Sequence, residues 1–443
     1  MNCSQILGGT TRDNARPLDK DGRFLLLNRL DKKKSAIMGH LGVIKKGESI
    51  MTQTKSDNRQ GIAVLVAGSI MQLFLGILYV WSVFNAPVKD FWGMDLKLTS
   101  SFMLCCFVLG ILAGGKIQLK IGAGKIVLIG GLLLAAGMLL TSFIPKSVPW
   151  MIYVSYGVLG GFGVGMGYNA IITSAQKWFP TKRGLATGIS VCTFGFSTVI
   201  FAPLVELMVR ELDVVNTFRV LAAVFCVVTL ILFRFIRFPA DTAAVSSGQL
   251  TSQKQFTTSE MFKTKQFYFI ALSMMLFTAA YFILNPSFKI FAEERDLASI
   301  GTAIVQMVGV ASAAGRLLVP ILADKIGREK ATLSIILATA VSTALLSFAG
   351  GALFVICIVV IAFCYGGSSG VYPLVTSEYF GLKHVGSNYG MVMVSFMISA
   401  MLFPIVINNF ETKIKFIVLA AMAVISGICV LLLMASKKKI KQS

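Results

Sequence analysis

One permanently charged side chain, that of Arg316, stands inside an otherwise apolar stretch of this sequence. It lies between Ile304 and Ala323, eight residues before Asp324, where a loop is expected to begin. At the rise of an α-helix, this places it roughly 12 Å deep, near the middle of a bilayer core about 30 Å thick. A guanidinium at that depth costs several kcal/mol on most estimates, so it marks a functional site by default. Its natural partner is a carboxylate, which matches the planar fork of donors.

The composition indicates which class of protein must position this charge. Of 443 residues, 56% are hydrophobic and only 14% are charged. A soluble protein of this length could not bury so much apolar surface, so the chain is predicted to cross a membrane many times. The net charge of +21 is expected from basic cytoplasmic loops. No basic patch interleaved with aromatic residues indicates a nucleic-acid partner.

Apolar stretches long enough to cross a bilayer predict an all-α membrane protein with twelve transmembrane helices. The predicted spans are residues 61–85, 98–117, 125–144, 150–175, 182–207, 217–237, 266–290, 299–323, 331–349, 352–376, 386–409 and 414–435. The longest polar connection predicts a cytoplasmic linker at 239–264 between two six-helix halves, 61–238 and 265–436. Matching segments after the fourth and tenth spans, at Trp178 and Tyr379, predict two pseudo-symmetric halves that rock about a central site.

Basic residues collect in the even-numbered connections and in the tail at 437–443, whereas the odd-numbered connections are neutral or acidic. Lys182 and Arg183 follow the fourth span, for example, while Glu293 and Glu294 follow the seventh. This excess of lysine and arginine on one side predicts that both termini are cytoplasmic. We therefore expect a multi-pass protein of the cell membrane, surrounded by the lipid bilayer and monomeric.

Residues 1–60 are polar and basic and predict a disordered cytoplasmic tail. Residues 1–50 have a second interpretation: the translation start is assigned too far upstream, and the native protein begins at Met51. Residues 45–48 (KKGE), just before Met51, resemble a translated purine-rich ribosome-binding site, which favours a bacterial source. The intact mass of the protein made from its own gene distinguishes the two interpretations.

Two loops resemble the signature of the major facilitator superfamily, which follows the second and eighth spans of its members. Residues 320–330 read PILADKIGREK. The first copy, residues 115–125, keeps Gly122 but has Leu119 in place of the aspartate. The resemblance implies a twelve-helix carrier in which the first half lacks the usual acidic latch.

Within that superfamily, residues 60–435 resemble the oxalate/formate antiporter family. The resemblance is carried by QLFLGILYVWSVF at 72–84, KWFPTKRG at 177–184, GSNYG at 386–390, and Gly315-Arg316 ahead of DKIGR at 324–328. It implies that Arg316 binds the carboxylate of the substrate. It also implies a partner lysine on the eleventh helix, but this chain has Phe396 near that position and no cation in residues 391–397.

This departure predicts the charge of the substrate. One arginine pairs well with one carboxylate, whereas a dianion would bring an uncompensated charge into a medium of low dielectric constant. We therefore expect a monocarboxylate such as formate, lactate or pyruvate rather than oxalate. No aspartate or glutamate lies deep in a predicted span, which favours anion exchange or a proton that moves with the substrate.

Aromatic and amide groups are expected to enclose a small organic anion beside an arginine. The candidates for substrate binding are Gln72, Tyr79, Trp81, Tyr168, Asn169, Tyr281, Asn285, Tyr365, Tyr372 and Tyr389. Each of them also has a purely structural interpretation, as a partner of a neighbouring helix. A second set at the helix ends is expected to act as a conformational switch, because charges there can pair in one state and separate in another. That set comprises Gly122, Lys182, Arg183, Asp324, Lys325, Gly327 and Arg328.

Three other functions fit the sequence less well. A multidrug efflux carrier of the same superfamily would favour acidic residues in a larger apolar cavity, and a non-transporting anion sensor would usually carry an output domain. An enzyme needs a metal or an acid–base cluster at depth, but His40 and His384 lie outside the predicted spans. The eight cysteines have no metal-ligand spacing, so no metal or cofactor is expected.

Overall fold

A computed structural model describes residues 59–96, 98–239, 254–285, 291, 301–407 and 409–442. These residues form twelve long helices and one short helix, which we call the linker helix, Thr258–Phe262. The long helices are α1 Arg59–Trp92, α2 Thr99–Ile121, α3 Ala123–Thr141, α4 (Tyr153–Gly160 continued by Gly161–Trp178), α5 Arg183–Leu212, α6 Val214–Leu232, α7 Lys265–Leu284, α8 Gly301–Ile326, α9 Arg328–Leu345, α10 Gly351–Phe380, α11 Val385–Ile407 and α12 Thr412–Gln442. The predicted tail up to residue 58, and residues 240–253 of the predicted linker, lie outside the described residues.

The outer surface of the helices is apolar where a water-soluble protein would be polar. In the described part of the chain, ten helices are long and apolar enough to cross a bilayer. Large hydrophobic side chains on their outer faces are openly exposed, for example Val310 at 67% and Ile405 at 71%. Such surfaces are compatible with lipid, and the helical backbone satisfies its own hydrogen bonds there.

Two turns of the same geometry connect α2 to α3 and α8 to α9. Gly122 and Gly327 have φ angles of 88° and 95°, in a region that residues with a Cβ atom rarely adopt. In each turn a single glycine separates the end of one helix from the start of the next. The sequence repeat at these two places is therefore also a repeat of backbone conformation.

Several helices extend beyond their predicted ends, and the first and the last do so by about two turns. The first was predicted to end at residue 85, but α1 continues to Trp92, whose indole Nε1 donates to the carbonyl of Ile144 at 3.0 Å. The last was predicted to end at residue 435, but α12 continues to Gln442. Near this end, Lys437 pairs with Glu329 of α9 and Glu378 of α10, which joins α12 to both helices.

The helices pack in two sets, the first bundle (α1–α6) and the second bundle (α7–α12). In the first bundle α2 packs on α4 and α3 on α6, and in the second α8 packs on α10 and α9 on α12. The same pairing thus recurs six helices later. The bundles meet along two seams, one between α5 and α8 and the other between α2 and α11.

A short 3-10 stretch, Gly76–Val80, interrupts α1 and positions Tyr79. A Cβ atom on Gly76 would lie 2.1 Å from the carbonyl oxygen of Phe194, so only glycine allows α1 and α5 to approach so closely here. A mid-helix change of winding often marks a functional position. Tyr79 faces the space between the two bundles, where the candidate site lies.

Candidate functional site

A small cavity lies between the two bundles, and we call it the central cavity. Its volume is about 20 Å³, enough for a water molecule but not for a large organic molecule. Both bundles contribute to its wall. The lining residues are Tyr79, Phe107, Tyr168, Val191 and Phe194 from the first bundle and Met274, Arg316, Tyr365, Ser369, Tyr389, Met393 and Phe396 from the second.

Arg316 brings a buried charge to this cavity. The residue is only 7% exposed, and its Cζ lies 5.3 Å from the centre of the Tyr79 ring. Among the described residues, no acceptor hydrogen-bonds the buried Nε, and no carboxylate forms an ion pair with the guanidinium. Buried charges are normally paired, so this guanidinium has unused capacity to bind an anion.

The backbone at Arg316 is also unusual. Pro320 stands four residues later in α8, and because proline has no N–H, it cannot donate to the carbonyl of Arg316. Glycines on two neighbouring helices face that carbonyl, since a Cβ on Gly188 or Gly370 would lie 3.4 or 3.3 Å from its oxygen. Three helices therefore meet at the arginine, where α8 is expected to bend.

Tyrosine rings form much of the cavity wall. Tyr365 lines the cavity, and Tyr281 stacks on it with ring centres 3.7 Å apart and planes 6° from parallel. On the opposite side, Tyr168 packs edge-on against Phe194 and Phe107, at 4.8 and 5.2 Å. The cavity thus combines aromatic surface with hydroxyl groups around one cation, a lining suited to a small organic anion.

Phe396 lies in the same cavity as Arg316. It is 7% exposed and packs edge-on against Phe282 at 5.0 Å. The family resemblance implies a lysine near this position. In this chain an apolar ring lines the cavity beside Arg316 instead.

Besides Tyr281, which stacks on Tyr365 from outside the lining, five other predicted substrate-binding residues do not line the central cavity. Gln72 donates to the carbonyl of Tyr168 at 3.2 Å, and Asn169 donates to the carbonyls of Ile111 and Gly386 at 2.9 and 2.8 Å. Trp81 packs on Tyr156 at 5.1 Å. Tyr372 shares a hydrogen bond of 2.9 Å with Ser273, and Asn285 is exposed at the end of α7. These five side chains have structural partners or lie at a helix end, and we leave them out of the binding site proposed below.

The predicted switch residues lie at the helix ends, and Asp324 connects the two bundles. Its Oδ2 accepts a hydrogen bond of 3.1 Å from the backbone N–H of Leu185, in the first turn of α5. No side chain of α5 itself caps that helix, so Asp324 supplies the cap from the other bundle. Lys182 and Lys325 are exposed beside this contact.

Arg328 forms its ion pair within the second bundle. Its Nη1 lies 2.6 Å from Oε2 of Glu378. Lys437 of α12 pairs with the same glutamate and with Glu329, and Tyr379 donates to Glu329 at 3.1 Å. Arg183, by contrast, donates from Nε to the carbonyl of Pro180 at 3.0 Å and thereby holds the loop before α5.

The seam between α2 and α11 is closed by neutral groups. Ser387 donates from Oγ to the carbonyl of Gly115 at 2.8 Å, and Asn169 donates to the carbonyl of Gly386. The neighbouring His384 adds no charge at neutral pH, because partial burial, helped by Lys383 and Lys177, lowers its pKa from the usual value of 6.5. The two seams therefore use different chemistry, a carboxylate cap on one and amide and hydroxyl contacts on the other.

The segment before α7 is attached to this second seam. Asn388, one residue after Ser387, donates to the carbonyl of Phe256 at 3.0 Å and accepts from Thr258 at 3.1 Å. The backbone N–H of Lys383 donates to Gln255 at 2.9 Å. The linker helix is thus fixed to the first turn of α11.

Apart from Phe396, which the family resemblance had marked, six residues of the cavity lining were not predicted from the sequence as binding residues. One of them had a usable signal, since Ser369 follows Tyr365 by four residues and so lies on the same helix face. The apolar members gave no signal that distinguishes them from ordinary core residues. They are Phe107, Val191, Phe194, Met274 and Met393.

Comparison with known proteins identifies the fold. A family model described as Major Facilitator Superfamily matches residues 61–404. The chain belongs to this superfamily. The predicted family and the predicted twelve-helix fold are thereby confirmed.

Three relatives resemble this carrier over most of its length. It is 26% identical over 350 residues to the uncharacterized MFS-type transporter YhjX of Escherichia coli K12, covering 76% of this chain and 85% of YhjX. It is 27% identical over 335 residues to the oxalate:formate antiporter of Oxalobacter formigenes, covering 74% and 79%. It is 22% identical over 365 residues to apicoplast pyruvate carrier 1 of Toxoplasma gondii, covering 66% and 65%.

A solved structure supports the fold independently. The superfamily transporter FucP, in its outward conformation, matches 84% of this carrier and 99% of its own chain, with a TM-score of 0.64 and 12% identity. At that identity the likeness concerns the fold alone. The chain is therefore a multi-pass membrane transporter and not an enzyme, with carriers of small organic anions among its relatives.

Proposed function

We propose that this carrier moves small monocarboxylates, such as formate, lactate or pyruvate, across the cell membrane by alternating access. The observation that carries the proposal is the guanidinium of Arg316, which is buried between the bundles without a carboxylate partner among the described residues. A substrate carboxylate would accept the fork of N–H donors and neutralise the charge. Exchange for a second anion, or entry together with a proton, would both fit this site.

The charge of the lining favours one carboxylate over two. Of the twelve residues that line the central cavity, Arg316 alone carries a permanent charge. Phe396, also in the lining, lies near the position at which the family resemblance implies a second cation. Oxalate would therefore bring one uncompensated charge into the cavity, which is costly at low dielectric constant. The oxalate:formate antiporter is named for one dicarboxylate, oxalate, and one monocarboxylate, formate. We propose that the present carrier prefers monocarboxylates.

The division of the lining supports alternating access. Because both bundles contribute to the wall, a rocking motion that separates them on one side would open the cavity to that side. The basic residues Lys182, Lys325 and Lys437 lie at the same ends of the helices as the cap formed by Asp324, and we place these ends in the cytoplasm. Both termini would then be cytoplasmic.

The cavity also bears on the alternative of amphiphile efflux. A lining with one arginine and without aspartate or glutamate suits an organic anion better than a cationic drug. A non-transporting anion sensor would share the same site, so only a transport measurement separates the two.

Counterflow in proteoliposomes tests the proposal. Vesicles loaded with unlabelled formate, lactate, pyruvate or oxalate should accumulate labelled formate, with the monocarboxylates more effective than oxalate. Arg316→Ala should abolish the signal while the variant still inserts and folds, because the carboxylate loses its only cationic partner. Arg219→Ala is the matched control, since Arg219 is exposed on α6, away from the cavity.

Two outcomes would contradict the proposal. Wild-type counterflow by Arg316→Ala would exclude the arginine as the binding group. Formate binding without counterflow by the wild type would indicate a sensor instead of a carrier.

A further inference from the structure

A face of α5 made of glycines lies against α8 along the first seam. A Cβ atom on Gly184 would lie 2.0 Å from the carbonyl oxygen of Pro320, and one on Gly188 would lie 3.0 Å from that of Leu317. At both positions the near neighbour belongs to the backbone of α8. These two glycines are explained by close helix packing between the bundles.

Gly195, further along the same helix, has a different neighbour. A Cβ atom there would lie 1.8 Å from Nη1, 2.8 Å from Cζ and 2.9 Å from Cδ of Arg316. The space that a side chain would need at residue 195 is therefore filled by the guanidinium. Arg316 is anchored in the second bundle, but its charged end lies against the backbone of the first.

The ring of Tyr79 bounds the same space. Its centre lies 5.3 Å from Cζ of Arg316, and its edge packs on Phe194, the residue before Gly195, at 5.4 Å. The aromatic face attracts the cation, and the missing side chain at Gly195 gives it room. Together they form a socket on the first bundle that receives the guanidinium.

We propose that Gly195 is a positioning residue for substrate binding, which acts by fixing the place of the Arg316 guanidinium; this inference rests on the proposed function. A methyl group at residue 195 would displace the guanidinium from the socket. The neighbouring open space is the central cavity, so the displaced guanidinium would enter the space that the substrate carboxylate would occupy. The substitution therefore opposes substrate binding without removing the charge.

Gly195→Ala tests this role, with Gly188→Ala as the matched control on the same face of α5. Gly195→Ala should raise the half-saturation concentration for formate by about ten- to a hundredfold, as expected for an ångström-scale misplacement of a binding group. The maximal rate should fall less than the affinity. Gly188→Ala should raise the half-saturation concentration less than Gly195→Ala does, because its added methyl group would lie 3.0 Å from the carbonyl oxygen of Leu317 and would not meet the guanidinium.

A second pair of variants separates a clash with the guanidinium from a general packing defect. The side chain of Arg316→Ala ends at Cβ and leaves the socket free, because it lacks the Cδ and the guanidinium that lie near residue 195. Gly195→Ala in the Arg316→Ala background should therefore melt at the same temperature as Arg316→Ala alone, whereas in the wild-type background it should lower the melting temperature. An equal loss in both backgrounds would overturn the inference, as would a wild-type half-saturation concentration for Gly195→Ala.

These results also distinguish the two proposals. If Arg316→Ala abolishes counterflow but Gly195→Ala behaves as the wild type, the positioning role fails and the proposed function stands. If Arg316→Ala transports normally, the proposed function fails. The melting temperatures then still report whether Gly195 holds the guanidinium.

Discussion

The charge of Arg316 is only partly compensated by its described neighbours. The Tyr79 ring contributes a cation–π contact, worth about 2 kcal/mol when such a pair is desolvated. Burial of an arginine at membrane depth costs several kcal/mol on most estimates. A carboxylate that binds here would supply the missing compensation, so the residue that is costly to bury is also the one that favours binding.

Phe396 is expected to set the preference for one carboxylate. Phe396→Lys would add a second cation to the cavity that Arg316 lines, so oxalate should become a better competitor of labelled formate. We expect a gain in oxalate affinity of about tenfold, or roughly 1.4 kcal/mol. Competition in proteoliposome counterflow measures it.

Phe396→Leu is the control for this change, because it removes the ring without adding charge. It should leave the ratio of oxalate to formate affinity close to that of the wild type. An unchanged ratio in Phe396→Lys would show that the side chain at residue 396 does not face the substrate.

The geometry of a helix explains which candidate residues reach the cavity. Tyr79 and Trp81 are two residues apart, about 200° around a helix, so both cannot face the same space. Tyr365 and Tyr372 share a face but lie about 10 Å apart along the axis. Because the spans are apolar on nearly all sides, the sequence alone could not decide which face of each helix is turned inward.

At the scale of the elements, α5 begins without a cap of its own and obtains one from α8 through Asp324. Loss of a capping side chain costs about 0.5–2 kcal/mol of stability. Because Asp324 and α5 belong to different bundles, losing this cap would weaken the contact between the bundles. The first seam should therefore be easier to open when this carboxylate is removed.

Asp324→Ala is expected to loosen the cytoplasmic end of this seam. Cys192 lies on α5 between Gly188 and Gly195 and is partly exposed. A membrane-impermeant maleimide applied from the cytoplasmic side should label it faster in Asp324→Ala than in the wild type. Asp324→Asn, which keeps an acceptor oxygen, should show a smaller increase, and peptide mass spectrometry locates the label.

Lys330→Ala serves as the control, since Lys330 is exposed in the first turn of α9. Equal labelling of Cys192 in Asp324→Ala and Lys330→Ala would show that the cap does not hold the seam closed.

The second seam is closed without the acidic loop residue that closes the first seam. The sequence predicted a missing latch in the first half, because Leu119 stands where the second half has Asp324. In the structure, Ser387 and Asn169 make the contacts at this seam instead. Neither could be predicted from the loop motif, because the groups that close this seam belong to α11 and α4 rather than to the loop itself.

At the scale of the whole molecule, rocking requires that contacts between the bundles separate. Sγ of Cys105 on α2 lies 2.9 Å from Sδ of Met401 on α11, toward the ends of these helices opposite to Ser387. Met401→Cys places a second thiol across this contact, and mild oxidation should join it to Cys105 when the two helices approach to disulfide distance. Counterflow should stop when the bond forms and return when it is reduced.

A variant that combines Met401→Cys with Cys105→Ser should not cross-link and should keep its activity after oxidation. Full transport by the cross-linked protein would show that the second seam does not open at this end during the cycle.

The overall architecture could be predicted from the sequence much more fully than the site. Long apolar runs separated by basic loops require helices that cross a bilayer, and the paired loops at residues 115–125 and 320–330 indicate the repeat. The position of Arg316 was evident because a charge in an apolar run is costly. Gly195 gave no such signal, because its role depends on a contact between α5 and α8 that only the fold reveals.

The matching turns at Gly122 and Gly327 have a consequence for the history of the chain. Their backbone angles agree within a few degrees of φ, although the adjoining latch is acidic in one copy and has been replaced in the other. Within this chain, the bend between the helices is the same in both halves, whereas the side chains beside it differ. After a duplication, the two halves could thus acquire different contacts at the two seams while both kept the same turn between their helices.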